Sequence, residues 1–217
     1  MCSSDLLLAK NHLQSAVRAL LINSGNANAG TGEKGLEHAY KSCQIFAEAL
    51  NIEPEQILPF STGVIGQLLP LAPFQKSSEK LVGLLSDENM SQVAEGILTT
   101  DLVDKCHSEV FEIDGKIVTL TGIAKGSGMI RPDMATMLSF IVTDLGASQQ
   151  LLQACLLTAV NQSFNRITVD GDTSTNDACT LSATNQSGIQ LTDCLDAFQG
   201  ALNKLTQDLA HKIVRDG

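Results

Sequence analysis

The residues from Gly122 to Asp144, GIAKGSGMIRPDMATMLSFIVTD, constrain the fold of this chain more than any other stretch. They begin as a glycine-rich loop, Lys125-Gly126-Ser127-Gly128, and pass through Pro132-Asp133-Met134-Ala135-Thr136. They then become an apolar run, Met137-Leu138-Ser139-Phe140-Ile141-Val142, the length of one buried strand. Thr136 thus stands where a loop enters a core element, with a flexible glycine loop close by. A catalytic nucleophile needs that arrangement: a fixed position with room for a substrate. The plain alternative is a β-branched residue opening a strand, where such residues are common.

Composition narrows what such an element can belong to. The 217 residues suit one domain or two small ones and suffice for a real core. With 43% hydrophobic residues the chain is not a disordered one. A net charge of -10 argues against nucleic acid or an anionic membrane as partner, since both want a basic face. No apolar run approaches transmembrane length. The start, MCSSDLLLAKNHLQ, lacks the basic residues and long apolar core of a signal peptide. Cys2, Cys43, Cys106, Cys155, Cys179 and Cys194 are scattered and form no CxxC pair, so a zinc site is not indicated. Thiols in a chain read as leaderless lead us to expect the cytoplasm.

In chain order, Arg18 to Ser24 reads as a buried strand running into Gly25-Asn26-Ala27-Asn28-Ala29-Gly30-Thr31-Gly32. Small residues and αL-tolerant Asn make a tight loop there, either a turn or backbone lining a ligand. It lacks the GKS or GKT ending of a P-loop. Leu36, Ala39, Tyr40, Cys43, Phe46, Ala47 and Leu50 recur at helical spacing, with Asn51 and Pro54 beyond the end. Ile57 to Phe60 reads as a short strand leading into Ser61-Thr62-Gly63-Val64-Ile65-Gly66. A strand ending in Thr-Gly presents donors that can stabilise an oxyanion, or simply makes a turn.

Ser86 is expected to cap a helix carrying Met90, Val93, Ala94 and Ile97. Thr99-Thr100-Asp101 follows as a polar turn. Asp114-Gly115 between two alternating runs predicts a hairpin over Glu109 to Leu120. Leu151, Leu152, Cys155, Leu156, Ala159 and Val160 make another helical face, and Leu195, Phe198, Leu202, Leu205, Leu209 and Ile213 a long amphipathic helix. In the acidic loop between them, Asp170 and Asp172 fit the first two ligands of a calcium loop. Thr175 stands where its glycine should be and Leu181 where its bidentate Glu should be, so the loop is read as a self-bonding turn. Alternating strands and helices with a hairpin give an α/β class.

Four blocks, LLINSGNANAGTG, STGVIG, GIAKGSGMIRPDMATML and FNRITVDGDTSTNDA, resemble those of the ornithine acetyltransferase / glutamate N-acetyltransferase family, in order and with similar spacing from about Arg18 to Gly217. The resemblance implies a layered α/β/β/α sandwich with mixed sheets. It implies self-cleavage between Ala135 and Thr136, so that residues 1–135 match the family's α-chain and 136–217 the start of its β-chain, within one partial acetyltransferase region spanning 1–217. Thr136 would be the nucleophile, Thr62 and Gly63 the oxyanion hole, and Lys125 a partner for a substrate carboxylate. Thr99, with Thr100 as the alternative, would contact substrate. The FNRITVDGDTSTND block is read as scaffold behind the nucleophile.

The implied reaction moves an acetyl group from N2-acetylornithine to glutamate through an acetyl-Thr intermediate in arginine biosynthesis. No metal or bound cofactor is needed, and acetyl-CoA is a possible further substrate. An α/β heterodimer, or its tetramer, is the expected assembly. The family starts earlier and continues past Gly217, where a substrate-binding Glu follows and an Asn and a Ser or Thr complete the pocket. The chain is therefore expected to be shortened at both ends, with Gly217 near Thr136. Two other readings stand beside this one: a non-catalytic fragment or subunit, and a related self-processing amidohydrolase or aminopeptidase.

Overall fold

The computed structural model describes residues 3–130, 137–172 and 174–217. The chain divides into two compact units, Met1–Thr99 and Thr100–Gly217. This division is distinct from the cleavage junction expected at Ala135 and Thr136, which lies outside the described residues.

In the first unit, β1 (Ala19–Asn26) and β2 (Ile57–Val64) pair in parallel, with Ala19 opposite Ile57 and Ser24 opposite Thr62. A parallel pair needs a long crossover, and α2 (Gly32–Leu50) supplies it. Ala39, Cys43, Phe46 and Ala47 point from α2 into a core shared with Leu8, Ile57, Leu69 and Phe74. The last of these comes from α3 (Ala72–Val82) and meets Phe46 edge to face at 6.3 Å. Asn51 ends α2 in the left-handed region, with its backbone N–H on Ala47 and Glu48 carbonyls.

Three details differ from the expected pattern. β1 is half-buried and not fully buried. A helix α1 (Ser4–His12), which no periodicity announced, packs on β2 through His12 Nδ1, 2.7 Å from the Ile57 carbonyl. Its cap is Ser3, whose hydroxyl accepts from Leu6 N–H. Ser86, by contrast, does not cap α4 (Met90–Gly96); it accepts from the Glu88 N–H, and Asn89 precedes the helix without a side-chain cap bond. Ser86 lies too far before Met90 for its hydroxyl to reach the first helical amides.

The second unit is a four-stranded mixed sheet in the order β3-β4-β5-β6. The strands are β3 (Lys105–Ile113), β4 (Lys116–Lys125), β5 (Leu138–Thr143) and β6 (Ala178–Ala183). The β3–β4 hairpin turns at Asp114 (φ 49) and Gly115 (φ 76), the pair of positive φ values that a tight hairpin turn demands. β4 and β5 are antiparallel, β5 and β6 parallel, and α5 (Gln149–Gln162) makes the crossover. Phe198, Leu202, Leu205, Leu209 and Ile213 of α6 (Leu195–Asp216) fill the core against Val118, Leu120 and Ile141, while Leu195 is left exposed at 41%. Gly122 makes this packing possible. A Cβ there would stand 2.7 Å from Leu205 Cδ2 and 3.0 Å from Leu209 Cδ1, so a larger residue in mid-strand would force those leucine side chains to shift. Parallel and antiparallel pairs covered by helices make this a mixed α/β protein.

Candidate active site

One end of the second unit's sheet brings together Lys125, Met137 and Asp177. The register aligns Lys125 with Leu138, and Leu138 with Ala178. The C-terminal end of β4 therefore lies beside the N-terminal starts of β5 and β6. Met137 and Asp177 precede those starts, and Asp177 Oδ1 accepts from Met137 N–H at 2.9 Å. Thr136, the residue before Met137 in sequence, lies outside the described residues, as does Ala135.

Lys125 is buried, with 2% of its surface exposed, so it is not a solvated surface lysine. Burial pushes its ammonium below the usual lysine range. The nearby Asp101 opposes that shift, Lys105 adds to it, and Asp177 opposes it. Burial also lifts Asp177 up to about 6, against the Met137 N–H, the Ser174 hydroxyl and the charge of Lys125, all of which favour its carboxylate. A buried cation and a half-buried acid thus sit together at the sheet end, each held partly in its charged form by the other.

From Gly126 to Ile130 the glycine loop is held by hydrogen bonds. Gly126 N–H donates to Asp101 Oδ1 at 2.6 Å. Met129 N–H donates to Asp170 Oδ2, and Ile130 N–H to Asp170 Oδ1 at 2.9 Å. The Ile130 carbonyl accepts from Val169 N–H at 2.8 Å and from the Thr168 hydroxyl at 2.8 Å. Met129 takes φ 56, a conformation seldom adopted by a side-chain-bearing residue unless its surroundings dictate it. Three of the loop's amide donors are thus spent on the protein's own carboxylates, so these amides cannot form an anion cradle of the P-loop kind. What the loop presents is side chains. Ser127 Oγ lies 3.0 Å from Thr100 Oγ1, so Thr100, the alternative of the two expected substrate threonines, bonds to this loop. Thr99 is exposed and closes the first unit.

Behind the loop lies a buried ion triad. Lys105 Nζ is 2.8 Å from Asp101 Oδ1 and 2.6 Å from Asp216 Oδ2, and the three side chains expose at most 2% of their surface. Lys105 also donates to the Val103 carbonyl at 3.2 Å, and the Asp216 carboxylate accepts Leu102 N–H at 3.1 Å. One ammonium therefore ties the Thr100–Asp101 turn, the start of β3 and the end of α6 together. Gly217 follows directly and lies against the loop: a Cβ built on it would stand 2.6 Å from the Ser127 carbonyl.

In the first unit, Thr62 and Gly63 occupy a different setting from the one expected. They do not end a strand; β2 continues through them to Val64 and pairs with Ser24, Gly25 and Asn26. Thr62 is buried at 3%, while Gly63 is exposed. Gly63 has φ +130, and a Cβ on it would stand 2.3 Å from the Gly25 carbonyl carbon. The close strand approach alone therefore requires glycine, whatever further role it has.

A family model for the ArgJ family matches residues 1–217. The chain belongs to the ArgJ family. Among curated ArgJ relatives, the arginine biosynthesis bifunctional protein ArgJ of Pseudomonas fluorescens is 46% identical, over 100% of this chain and 55% of its own length. The ArgJ of Methylococcus capsulatus is 47% identical, over 100% of this chain and 54% of its own length. The chain thus spans about half the length of the curated ArgJ proteins it matches. The crystal structure of the Bacillus halodurans bifunctional protein ArgJ is similar, with a TM-score of 0.55 at 36% identity, covering 61% of this chain and 71% of that one. So is ornithine acetyltransferase from Mycobacterium tuberculosis complexed with ornithine, with a TM-score of 0.52 at 26% identity, covering 60% and 70%.

Within this chain, Asp101, Lys105, Asp177 and Asp216 were not singled out as individuals from the sequence. Asp101 and Asp177 stand at the ends of the TTD and TSTND segments, next to residues that were singled out. Their signal was an acidic residue beside a hydroxyl run. Lys105 carried none, because a lysine opening a strand is ordinarily solvated. Asp170 was weighed as a calcium ligand. Its carboxylate is instead engaged by Met129, Ile130 and Asp172 amides, and among the described residues no group of three or more His, Cys, Asp or Glu side chains is placed to hold a metal. Among the described residues no helix is long and apolar enough to cross a membrane.

Proposed function

We propose that this chain carries the nucleophile-bearing part of an acetyltransferase that moves an acetyl group from N2-acetylornithine to glutamate through an ester on Thr136, in the cytoplasm and in arginine biosynthesis. What supports the reading is the meeting of Lys125, Met137 and Asp177 at one sheet end, within a segment of ArgJ-family sequence. Cleavage at Ala135 would free the α-amine of Thr136. That amine, with a reference pKa of roughly 7.7–8.0, is partly neutral at physiological pH and accepts the hydroxyl proton. The hydroxyl oxygen attacks the acetyl carbonyl, and donors from Thr62 and Gly63 take up the negative charge on the carbonyl oxygen. Collapse expels the ornithine amine, which leaves with the proton, and the acetyl ester remains on Thr136. The glutamate amine then attacks the ester and releases the threonine hydroxyl. Lys125 and Thr99 or Thr100 bind the amino-acid substrate. No resident cofactor is required, and acetyl-CoA would enter as an alternative donor. The cleaved pieces would remain together as an α/β heterodimer or its tetramer.

Mass spectrometry of the chain incubated with N2-acetylornithine tests this. The expected result is two pieces, with an acetyl adduct on the one beginning at Thr136, lost in Thr136→Ala. The second reading, a partial chain inactive by itself, is favoured by the coverage of about half of each curated relative. Under that reading the adduct appears only when the remaining part of an ArgJ relative is added. No adduct under either condition overturns the proposal, and release of free acetate without transfer to glutamate assigns the chain to the hydrolase reading.

A further inference from the structure

Beyond the Lys105 triad, the seam between β3 and α6 carries a ladder of charges. Lys204, Asp208, Lys212 and Asp216 recur every four residues, so they stack along one face of α6 with alternating sign. β3 runs past them in the opposite sense. Lys105 Nζ lies 2.6 Å from Asp216 Oδ2, Lys212 Nζ donates to the Cys106 carbonyl at 2.6 Å, and Lys204 Nζ lies 2.9 Å from Glu109 Oε2. His107 forms the middle rung and faces two carboxylates. Its Nε2 is 2.7 Å from Glu109 Oε1 and its Nδ1 is 3.2 Å from Asp208 Oδ2. Glu109 follows two residues on and so shares its strand face. His107 stands opposite Gly122, where a Cβ would meet Leu205 and Leu209, so the ring is on the side of the sheet that α6 covers.

A neutral imidazole carries hydrogen on one nitrogen only. In that state a lone pair would face a carboxylate oxygen on one side or the other. The imidazolium has hydrogen on both nitrogens and satisfies both contacts. The two acids are held in their charged form. Burial pushes Glu109 up, but Lys204 and His107 outweigh it and keep it below the usual carboxylate range. Burial likewise opposes Lys212, His107 and His211 at Asp208, and they keep that carboxyl low. The charged and titratable groups around the ring are therefore Glu109 from β3 and Lys204, Asp208, His211 and Lys212 from α6. Lys105, two residues earlier on the same face, is engaged by Asp101 and Asp216. Leu120, Gly122 and Ala124, opposite on β4, add no charge.

We propose that the β3–α6 seam is a proton-dependent latch: His107, as an imidazolium between Glu109 and Asp208, holds β3 to α6, and the hold slackens as pH rises and the ring gives up its proton. β3 stands first in the order β3-β4-β5-β6, so among the described residues one of its edges has no strand beside it. Charged side chains guard such an edge against pairing with another chain. Opening the latch would loosen that guard. The sign follows from the preference of the folded chain for the charged ring. This contribution is fully present below the reference histidine value of about 6.5 and is lost at higher pH. It is independent of what the chain catalyses.

The test is amide exchange of the whole chain, expressed as protection relative to the intrinsic rate, at about pH 6 and about pH 8.5, either side of the reference histidine value. His107→Gln keeps a polar side chain without the charge, and His107→Arg keeps a charge at both values. In the parent, protection of the β3 amides should fall about tenfold relative to those of β5 between the two values, a factor equivalent to about 1.4 kcal/mol. In His107→Gln the β3 amides should show the parent's high-pH protection at both values, and in His107→Arg its low-pH protection at both. A parent whose β3 protection does not change with pH overturns the latch, as does the parent's pH response persisting in either variant. If the variants fail to fold, the 15N resonances of the parent ring decide. Hydrogen on both His107 nitrogens at about pH 7 supports the latch, and a neutral single tautomer overturns it.

Discussion

Two glycine-rich loops, Gly25–Gly32 in the first unit and Lys125–Ile130 in the second, look alike in sequence and are held by opposite chemistry. The first is stabilised largely from within. Asn28, fully buried at φ 46, accepts from the Thr31 hydroxyl at 3.0 Å and donates through Nδ2 to Asp5 at 3.0 Å and to the Gly35 carbonyl at 2.9 Å. Its own N–H goes to Asn26 Oδ1 at 2.8 Å. The one charge involved, Asp5, is buried, and that burial pushes it up to about 6 against the hydrogen bonds of Ser61 and Asn28. The second loop is held from outside by Asp101 and Asp170, residues distant in sequence, and Asp170 is held below the usual carboxylate range, first by the Met129 N–H. A neutral amide can be buried and satisfied locally. A carboxylate that accepts several amides works best where water or a lysine compensates its charge. The first loop is therefore a structural knot, and the second a platform whose backbone amides are fixed by distant carboxylates.

The sharpest way to break this contrast is to remove the cation behind the second loop. Lys105→Met removes the ammonium that Asp101 and Asp216 share inside the protein. Breaking a buried pair in this way costs about 3–5 kcal/mol, and Asp101 then becomes a poorer acceptor for Gly126 N–H. Urea unfolding followed by hydrogen exchange should show the loss at Gly126 and along β3. A shift under about 1 kcal/mol, within the range of an exposed pair, would mean that the triad is solvated in solution.

For the first loop the corresponding change is Asn28→Ala. It strips a donor from buried Asp5 and from the Gly35 carbonyl, and costs about 1–3 kcal/mol by the usual penalty for stranded buried polar groups. Denaturant midpoints measure it. No change would show that Asn28 is not the centre of that loop.

How much of this could be read from the chain follows the same division. Local signals were legible. Asp114-Gly115 marked its hairpin, Asn51 its helix end, and the spacing of Phe198 to Ile213 its buried face. The run from Leu138 to Val142 is indeed a strand in the core of its sheet. What escaped depended on partners far apart in sequence. The Lys125 loop reads as flexible because glycine lowers no local energy by itself, and its carboxylate partners are 25 and 41 residues away. Thr62 and Gly63 read as a strand end because Gly seldom sits inside a strand; here pairing with Gly25 requires it. Lys105 reads as surface because a buried lysine is rare unless paired, and one of its partners lies at Asp216.

A smaller effect comes from the charge of Asp5. Its pKa is raised from 3.8 to about 6, so the folded chain binds the proton more tightly than the unfolded one. The stability from this group is fully present at low pH and is lost as pH rises towards about 6, then stays flat. Asp5→Asn is neutral throughout and should flatten that slope. Relative to the parent it should gain about 1 kcal/mol at pH 8, allowing for its weaker acceptor, and little or nothing at pH 4. Thermal melts at the two values decide it. An equal difference at both would show that Asp5 is not buried as a charge.

The smallest global effect, and the most local one, belongs to Asp170. Its pKa is lowered, so the sign is opposite to that of Asp5: its contribution is present above the unfolded value of 3.8 and is lost as pH falls through the folded value. Asp170 is exposed, so its loss should barely move the melting temperature. Its hydrogen bonds are nonetheless specific, one oxygen on Met129 N–H and the other on Ile130 N–H. Asp170→Ala should release both amides to faster exchange while Gly126, held by Asp101, keeps its protection. The same two amides should lose protection in the parent on acidification, whereas Asn28 and its neighbours gain stability as Asp5 protonates. Acid would thus loosen one glycine loop and tighten the other. If both loops loosen together, the two would share one mode of support, and the contrast between a neutral knot and a carboxylate-held platform would be wrong.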